Sequence, residues 1–148
     1  MLPITIYEVG PRDGLQNWEG SLTTDEKVDM IESLHRAGLK NIEVTSFVHP
    51  KRVPNLADAE NVVVGTKGLA DFGVLVPNLK GFERAKGVGA NRFNVCFSPS
   101  EEFNVRNWGK RLDVLYAEYA EMLNGVDKEN VRVYVSCAFG CPYEGLPN

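Results

Sequence analysis

Arg12 and Asp13 stand side by side in YEVGPRDGLQN, residues 7–17, just past a short run of β-branched and aromatic residues and flanked by glycines. An Arg can hold a carbonyl or enolate oxygen through two N–H groups, with a charge that does not titrate away. An adjacent Asp can bind a hard divalent cation through oxygen. Glu43, in NIEVTSF, could fix the guanidinium, and Arg132 and Tyr134, in VRVYVSCAFG, could approach the same space. Alone, an Arg–Asp–Gly step reads most often as a solvated surface turn. Whether it is more depends on the elements that place it.

Five segments carry strand composition: from Ile4, Asn41, Asp71, Arg92 and Val131, each bounded by Gly, Pro, Asn or Asp. Helical spacing lies between them. The clearest case is TTDEKVDMIESLHRAGL, where Thr23 and Glu26 form a capping box, Gly38 can end the helix, and Val28, Ile31 and Leu34 fall on the buried face. KRLDVLYAEYAEML puts Leu112, Leu115, Tyr119 and Met122 on one stripe. NLKGFERAKGVGA is weakened by its glycines, NLADAENVVVGT is shorter, and NVRNWGKR reads as solvated loop with no role.

Strand and helix in alternation predict a parallel α/β sheet, either doubly wound or closed as a (β/α) barrel. Parity favours the barrel. Arg132, Tyr134 and Ser136 share one face of the fifth strand against Val131, Val133, Val135 and Cys137. Asn94, Cys96 and Ser98 oppose Phe93, Val95 and Phe97, and Glu43 and Thr45 oppose Ile42 and Val44. Central strands of open parallel sheets are apolar on both faces. Here one face is apolar, for helices, and the other gathers polar groups toward a C-terminal rim, where barrel chemistry is placed. A whole barrel needs eight units and about 250 residues. These 148 residues are expected to form one domain, the front part of such a barrel, with about five parallel strands.

The net charge of −4 and pI near 5.2 give no reason to expect nucleic acid or an anionic membrane as partner. No apolar run approaches the roughly 20 residues of a membrane helix, and the N-terminus shows no signal-peptide pattern. Three cysteines suit a reducing cytoplasm better than a disulfide framework, so Cys96, Cys137 and Cys141 are expected as reduced, partly buried thiols.

EVGPRDGLQN, IEVTSFVHPKRVPNLAD, PNLKGFERA and YVSCAFGCPYEG, in this order, resemble 3-hydroxy-3-methylglutaryl-CoA lyase, a metallolyase of the TIM-barrel class, over essentially the whole chain. GLQN and CPYEG point to the lyase branch rather than to the related Claisen-type synthases. The resemblance implies retro-Claisen cleavage of a CoA thioester to acetyl-CoA and acetoacetate with Mg2+ or Mn2+, a step of leucine degradation. By the match, Asp13 is a metal ligand and Arg12 stabilises the enolate oxygen. Gln16 lines the site, Glu43 orders the arginine, and Arg132 and Tyr134 face the substrate.

The family's His-x-His metal pair, its Asn ligand and its loop cysteine have no match here; His35 and His49 lie 14 residues apart and do not form that pair. Trp18 and Glu19 stand where more polar or basic residues are expected, which bears on contacts to the CoA end. Little activity is therefore expected of these residues alone. The alternative is a non-catalytic half-barrel that self-assembles through exposed strand edges and binds a CoA-like or carboxylate ligand.

Overall fold

A computed structural model describes residues 4–69 and 72–146. Met1 to Pro3 of the N-terminal segment, the Asp71 start of the third expected strand and the final Asn148 lie outside the described residues.

Thr23 caps the first helix, α1 (Thr24–Arg36), in a complete capping box with Glu26. Ile31 is fully buried on its inner face, with Leu34 packed partly against the core. Strand β1 (Glu43–Ser46) follows, then a 3-10 turn at Pro54–Leu56 and helix α2 (Ala59–Gly65). Strand β2 (Gly73–Leu75) leads into α3 (Leu79–Gly87), whose glycines are tolerated because Asn78 caps it by accepting from the Gly81 amide. Gly81 has its own reason to be there: a Cβ would come within 2.7 Å of the Phe47 carbonyl oxygen, where helix meets strand. Strand β3 (Arg92–Phe97), helices α4 (Glu101–Trp108) and α5 (Leu112–Met122), and strand β4 (Val131–Val135) complete the order.

The four strands are parallel and neighbour one another in chain order, β1-β2-β3-β4. That sequential order is a barrel's; a doubly wound sheet reverses at a switch point. The apolar strand face, including Ile42, Val44, Phe93 and Val95, packs on Ile31, Val62, Phe82, Leu115, Tyr119 and Met122 from the helices. Burying each such side chain stabilises the fold by about 1.5–3 kcal/mol.

Three expectations are corrected. The strand predicted from Ile4 narrows to one bridge, Glu8 with Ile42, where the Glu8 amide bonds Asn41 O at 2.9 Å and the Glu43 amide bonds Glu8 O at 2.8 Å. Ile4 and Ile6 are 93% and 66% exposed, so the segment gains too little burial to extend its pairing. The stretch read as loop is mostly helix α4: Ser100 caps it through the Phe103 amide, Glu101 and Glu102 fill its first turn, and Gly109 ends it in the left-handed region. The outer face of β4 carries no helix among the described residues, leaving Val133 and Val135 about half exposed. Among the described residues, no helix is long and apolar enough to cross a membrane.

Candidate functional site

Glu43, on the inward face of β1, is completely buried, and all its partners are in place. Its Oε1 accepts from Arg12 Nε. Its Oε2 accepts from Asn94 Nδ2 and, at 3.0 Å, from the Tyr134 hydroxyl. One carboxylate thus ties together β1, β3, β4 and the turn holding Arg12. A buried charge is tolerable only when paired and hydrogen-bonded in this way.

That turn is a π-helical loop, Gly10–Gly14, in which the Arg12 and Asp13 amides both bond Val9 O, at 3.0 and 2.7 Å. Such turns re-aim side chains and recur at functional sites. Here the turn points Arg12 inward, its side chain 12% exposed, and leaves Asp13 half exposed, bonded to Arg12 Nη1 at 2.7 Å. The following loop is clamped from behind. Asn55 Nδ2 lies 2.9–3.0 Å from the carbonyls of Leu15, Trp18 and Gly20. The buried Lys27 ammonium in turn donates to Asn55 O and to Asp58, at 2.6 Å each.

Arg12, Asp13, Gln16 and Tyr134 line one open cavity of about 540 Å3, together with Ser46, Cys96, Ser136 and, from α4, Phe103, Asn107 and Trp108. Burial, then the neighbouring Glu43 carboxylate, raises the Tyr134 hydroxyl far above its ordinary 10, so it keeps its proton. Burial likewise raises Cys96 and makes it a poor nucleophile.

Arg132 is not brought to this cavity. It lies lower on β4, its guanidinium 3.5 Å from the centre of the Tyr7 ring. Tyr7 completes the floor by accepting from Asn94 Nδ2 at 3.3 Å. Gly73 leaves room for that pair: a Cβ there would lie 2.2 Å from the Tyr7 oxygen. Trp18 covers Gly20 rather than lining the cavity.

Asn55 and Trp108 were missed in the sequence, since neither falls on a strand face. Asn94 was visible only as polar parity, the one signal that placed it inward.

For a divalent cation the fit is partial. Asp13 offers one hard oxygen, but among the described residues no three His, Cys, Asp or Glu side chains come together to hold a metal. His35 sits in α1 and packs its ring on Phe72, while His49 accepts the Lys51 amide in the loop after β1.

The HMGL-like family model matches residues 3–145. The chain is 42% identical over 146 residues to the mitochondrial hydroxymethylglutaryl-CoA lyase of Homo sapiens, covering 96% of this chain and 45% of that protein. It is 44% identical to the hydroxymethylglutaryl-CoA lyase YngG of Bacillus subtilis, covering 95% and 48%. Among solved structures, an HMG-CoA lyase from Acinetobacter baumannii in complex with coenzyme A and 3-methylmalate superposes with a TM-score of 0.90 at 37% identity, covering 97% of this chain and 48% of that one. The Bacillus subtilis HMG-CoA lyase gives 0.88 at 42% identity, covering 96% and 49%. The chain spans about half the length of the relatives it matches.

Proposed function

The chain belongs to the HMGL-like family, and on that footing we propose that its site serves the cleavage of 3-hydroxy-3-methylglutaryl-CoA to acetyl-CoA and acetoacetate. The observation that carries this reading is the buried Glu43 carboxylate holding Arg12 at the mouth of the cavity, with Tyr134 on the same carboxylate. In the reaction a base removes the tertiary hydroxyl proton, the carbon–carbon bond breaks, and the electron pair settles on the thioester as an enolate. Arg12 has Nε on Glu43 and Nη1 on Asp13, which leaves Nη2 for the enolate oxygen as its charge develops. Tyr134 keeps its proton and so faces the substrate as a neutral hydroxyl rather than a phenolate base. Gln16, exposed at the rim, supplies an amide for the substrate's polar end.

Mg2+ or Mn2+, when bound, would polarise the hydroxyl and gather the substrate carboxylate. Asp13 would hold it with groups beyond those described here, so these residues alone are expected to bind the thioester and to turn it over weakly. A second hollow of about 310 Å3 adjoins the first through Val48, Pro77, Asn107 and Trp108 and adds His49, Arg52 and Lys110. Its basic lining suits the phosphates of the CoA moiety and supports the substrate class. Calorimetric titration of the thioester with Mg2+ present tests the reading. Arg12→Met removes a charge-assisted hydrogen bond of about 1.5–3 kcal/mol and should weaken binding roughly ten- to hundredfold. Equal affinity in both proteins would sink it.

A second reading rests on the exposed apolar side chains at the two sheet edges, Val133 and Val135 on β4 and Ile4 and Ile6 before β1. We propose that two copies associate through them, so that light scattering gives the mass of a dimer; a monodisperse monomer would count against it. We also place the protein in the cytoplasm, on the strength of its three free thiols, and fractionation of cells checks this.

A further inference from the structure

Arg12 meets Glu43 through one arm of its guanidinium. Its Nε donates to Glu43 Oε1, its Nη1 donates to Asp13 at 2.7 Å, and Nη2 has no partner among the described residues. A guanidinium beside a carboxylate commonly closes the two-armed fork instead, with Nε and Nη2 on the two oxygens. Closed here, the fork would consume Nη2. The obstacle to closure is at Oε2, which already accepts from Asn94 Nδ2 and, at 3.0 Å, from the Tyr134 hydroxyl. A carboxylate oxygen offers about two lone-pair sites, so none is left there for Nη2.

Asn94 must present its nitrogen for this to hold. Its carbonyl oxygen turned toward Glu43 would set two acceptors face to face. Glu43, which can only accept, therefore calls for the Nδ2 end, and Tyr7 takes the second hydrogen of that nitrogen on its hydroxyl at 3.3 Å. The Tyr7 ring is itself pinned, with the Arg132 guanidinium 3.5 Å from its centre. Gly73 leaves the space, since a Cβ there would press on both the Tyr7 oxygen and Asn94 Nδ2. Asn94 is buried on β3 and does not line the cavity, so it reaches a ligand only through Glu43 and Arg12.

We propose that Asn94 is a positioning residue: oriented by Tyr7, it occupies Glu43 Oε2, holds the Arg12–Glu43 pair to a single arm, and so keeps Arg12 Nη2 free for an oxygen of the ligand. The inference rests on the reading of this site as one that takes a CoA thioester, and it divides the labour within it. Glu43 Oε1 fixes the guanidinium, while Oε2 is kept from competing with the ligand for it. A donor held free in this way needs no rearrangement when the ligand oxygen arrives. Without Asn94, only Tyr134 stays on Oε2. Arg12 then closes the fork, and the ligand has to open it.

Asn94→Leu keeps the side chain's shape and removes its donor, and Tyr7→Phe removes only the hydroxyl that holds the amide. Proton–nitrogen NMR of the ligand-free chain, labelled at arginine and assigned against Arg12→Met, reads the two arms separately. In wild type the Arg12 Nε hydrogen should exchange slowly and the Nη2 hydrogens fast. In Asn94→Leu the Nη2 exchange should slow by at least about tenfold, and Tyr7→Phe should shift it the same way by less. A mere loss of packing would free both arms rather than hold the second. Titration with 3-hydroxy-3-methylglutaryl-CoA should show affinity lowered about five- to tenfold in Asn94→Leu. Circular dichroism identifies the folded variants, and Tyr7→Phe carries the test where Asn94→Leu does not fold. The readouts separate two failures. No thioester binding in any form, with Nη2 drawn onto Glu43 in the variants, sinks the cleavage reading and supports the role of Asn94. Nη2 exchange that is unchanged or faster in the folded variants overturns that role, whatever the affinity.

Discussion

Glu43→Gln is the sharpest perturbation of the site. It keeps the shape of the side chain but removes the charge opposite Arg12, whose side chain is 12% exposed. It also replaces one carboxylate oxygen with an amide nitrogen, which cannot accept. If Oε1 stays with Arg12, the NH2 group then meets two donors, Asn94 Nδ2 and the Tyr134 hydroxyl. Arg12 then keeps only the half-exposed Asp13 as counter-charge, and losing the buried partner of the pair costs about 3–5 kcal/mol. Against a total stability of about 5–15 kcal/mol for a domain this is a large fraction. At roughly 2–4 °C per kcal/mol for a chain of this size, the melting midpoint should fall by about 6–20 °C.

Thermal unfolding followed by circular dichroism measures the fall, and a double-mutant cycle with Arg12→Met isolates its cause. Removing both charges leaves nothing stranded, so the double variant should be more stable than Glu43→Gln alone. A shift worth less than about 1 kcal/mol, or strict additivity in the cycle, would refute the reasoning that this pair is buried and coupled.

Gly73→Ala should cost about 1–3 kcal/mol in the urea midpoint, because its Cβ would fall 2.2 Å from the Tyr7 oxygen and force the floor apart. Asn55→Ala should leave α1 intact but release the loop at Leu15, Trp18 and Gly20, seen as faster amide exchange confined to residues 15–20. Tyr7, Tyr119 and Tyr134 all carry hydroxyls raised above the ordinary 10, first by burial. A group whose folded pKa is raised adds stability that is complete below the unfolded value and is lost as pH climbs through the folded one. Stability should therefore decline above about pH 10, and Tyr134→Phe should soften that decline in alkaline unfolding scans.

Local signals in the sequence carried further than expectations about what covers what. The Thr23–Glu26 capping box is fully formed, and the alternation that set Glu43 and Asn94 against Ile42 and Phe93 places the first two inside and the others in the core. Both rest on chemistry within one element. Helix α4, by contrast, reads as loop in the sequence: its caps, Ser100 and Gly109, lie at its ends, and its weakly amphipathic middle obscures the helical pattern. The first strand and the bare face of β4 depend on neighbours, and no local pattern states whether a neighbour is present. Arg132 shares a face with Tyr134, yet two residues along a strand is about 7 Å, enough to seat one on Tyr7 and the other at the cavity. The clamp at Asn55 joins residues some 35–40 positions apart and leaves no local trace.

The central claim is that Arg12, held by Glu43, meets the thioester oxygen. The NMR shift of an isotopically labelled thioester carbonyl carbon, bound to wild type and to Arg12→Met, tests it most directly. The account predicts a downfield displacement in the wild-type complex, where the guanidinium polarises the carbonyl, and its loss in Arg12→Met. The same displacement in both complexes would contradict it, since the carbonyl would then be held by something other than Arg12.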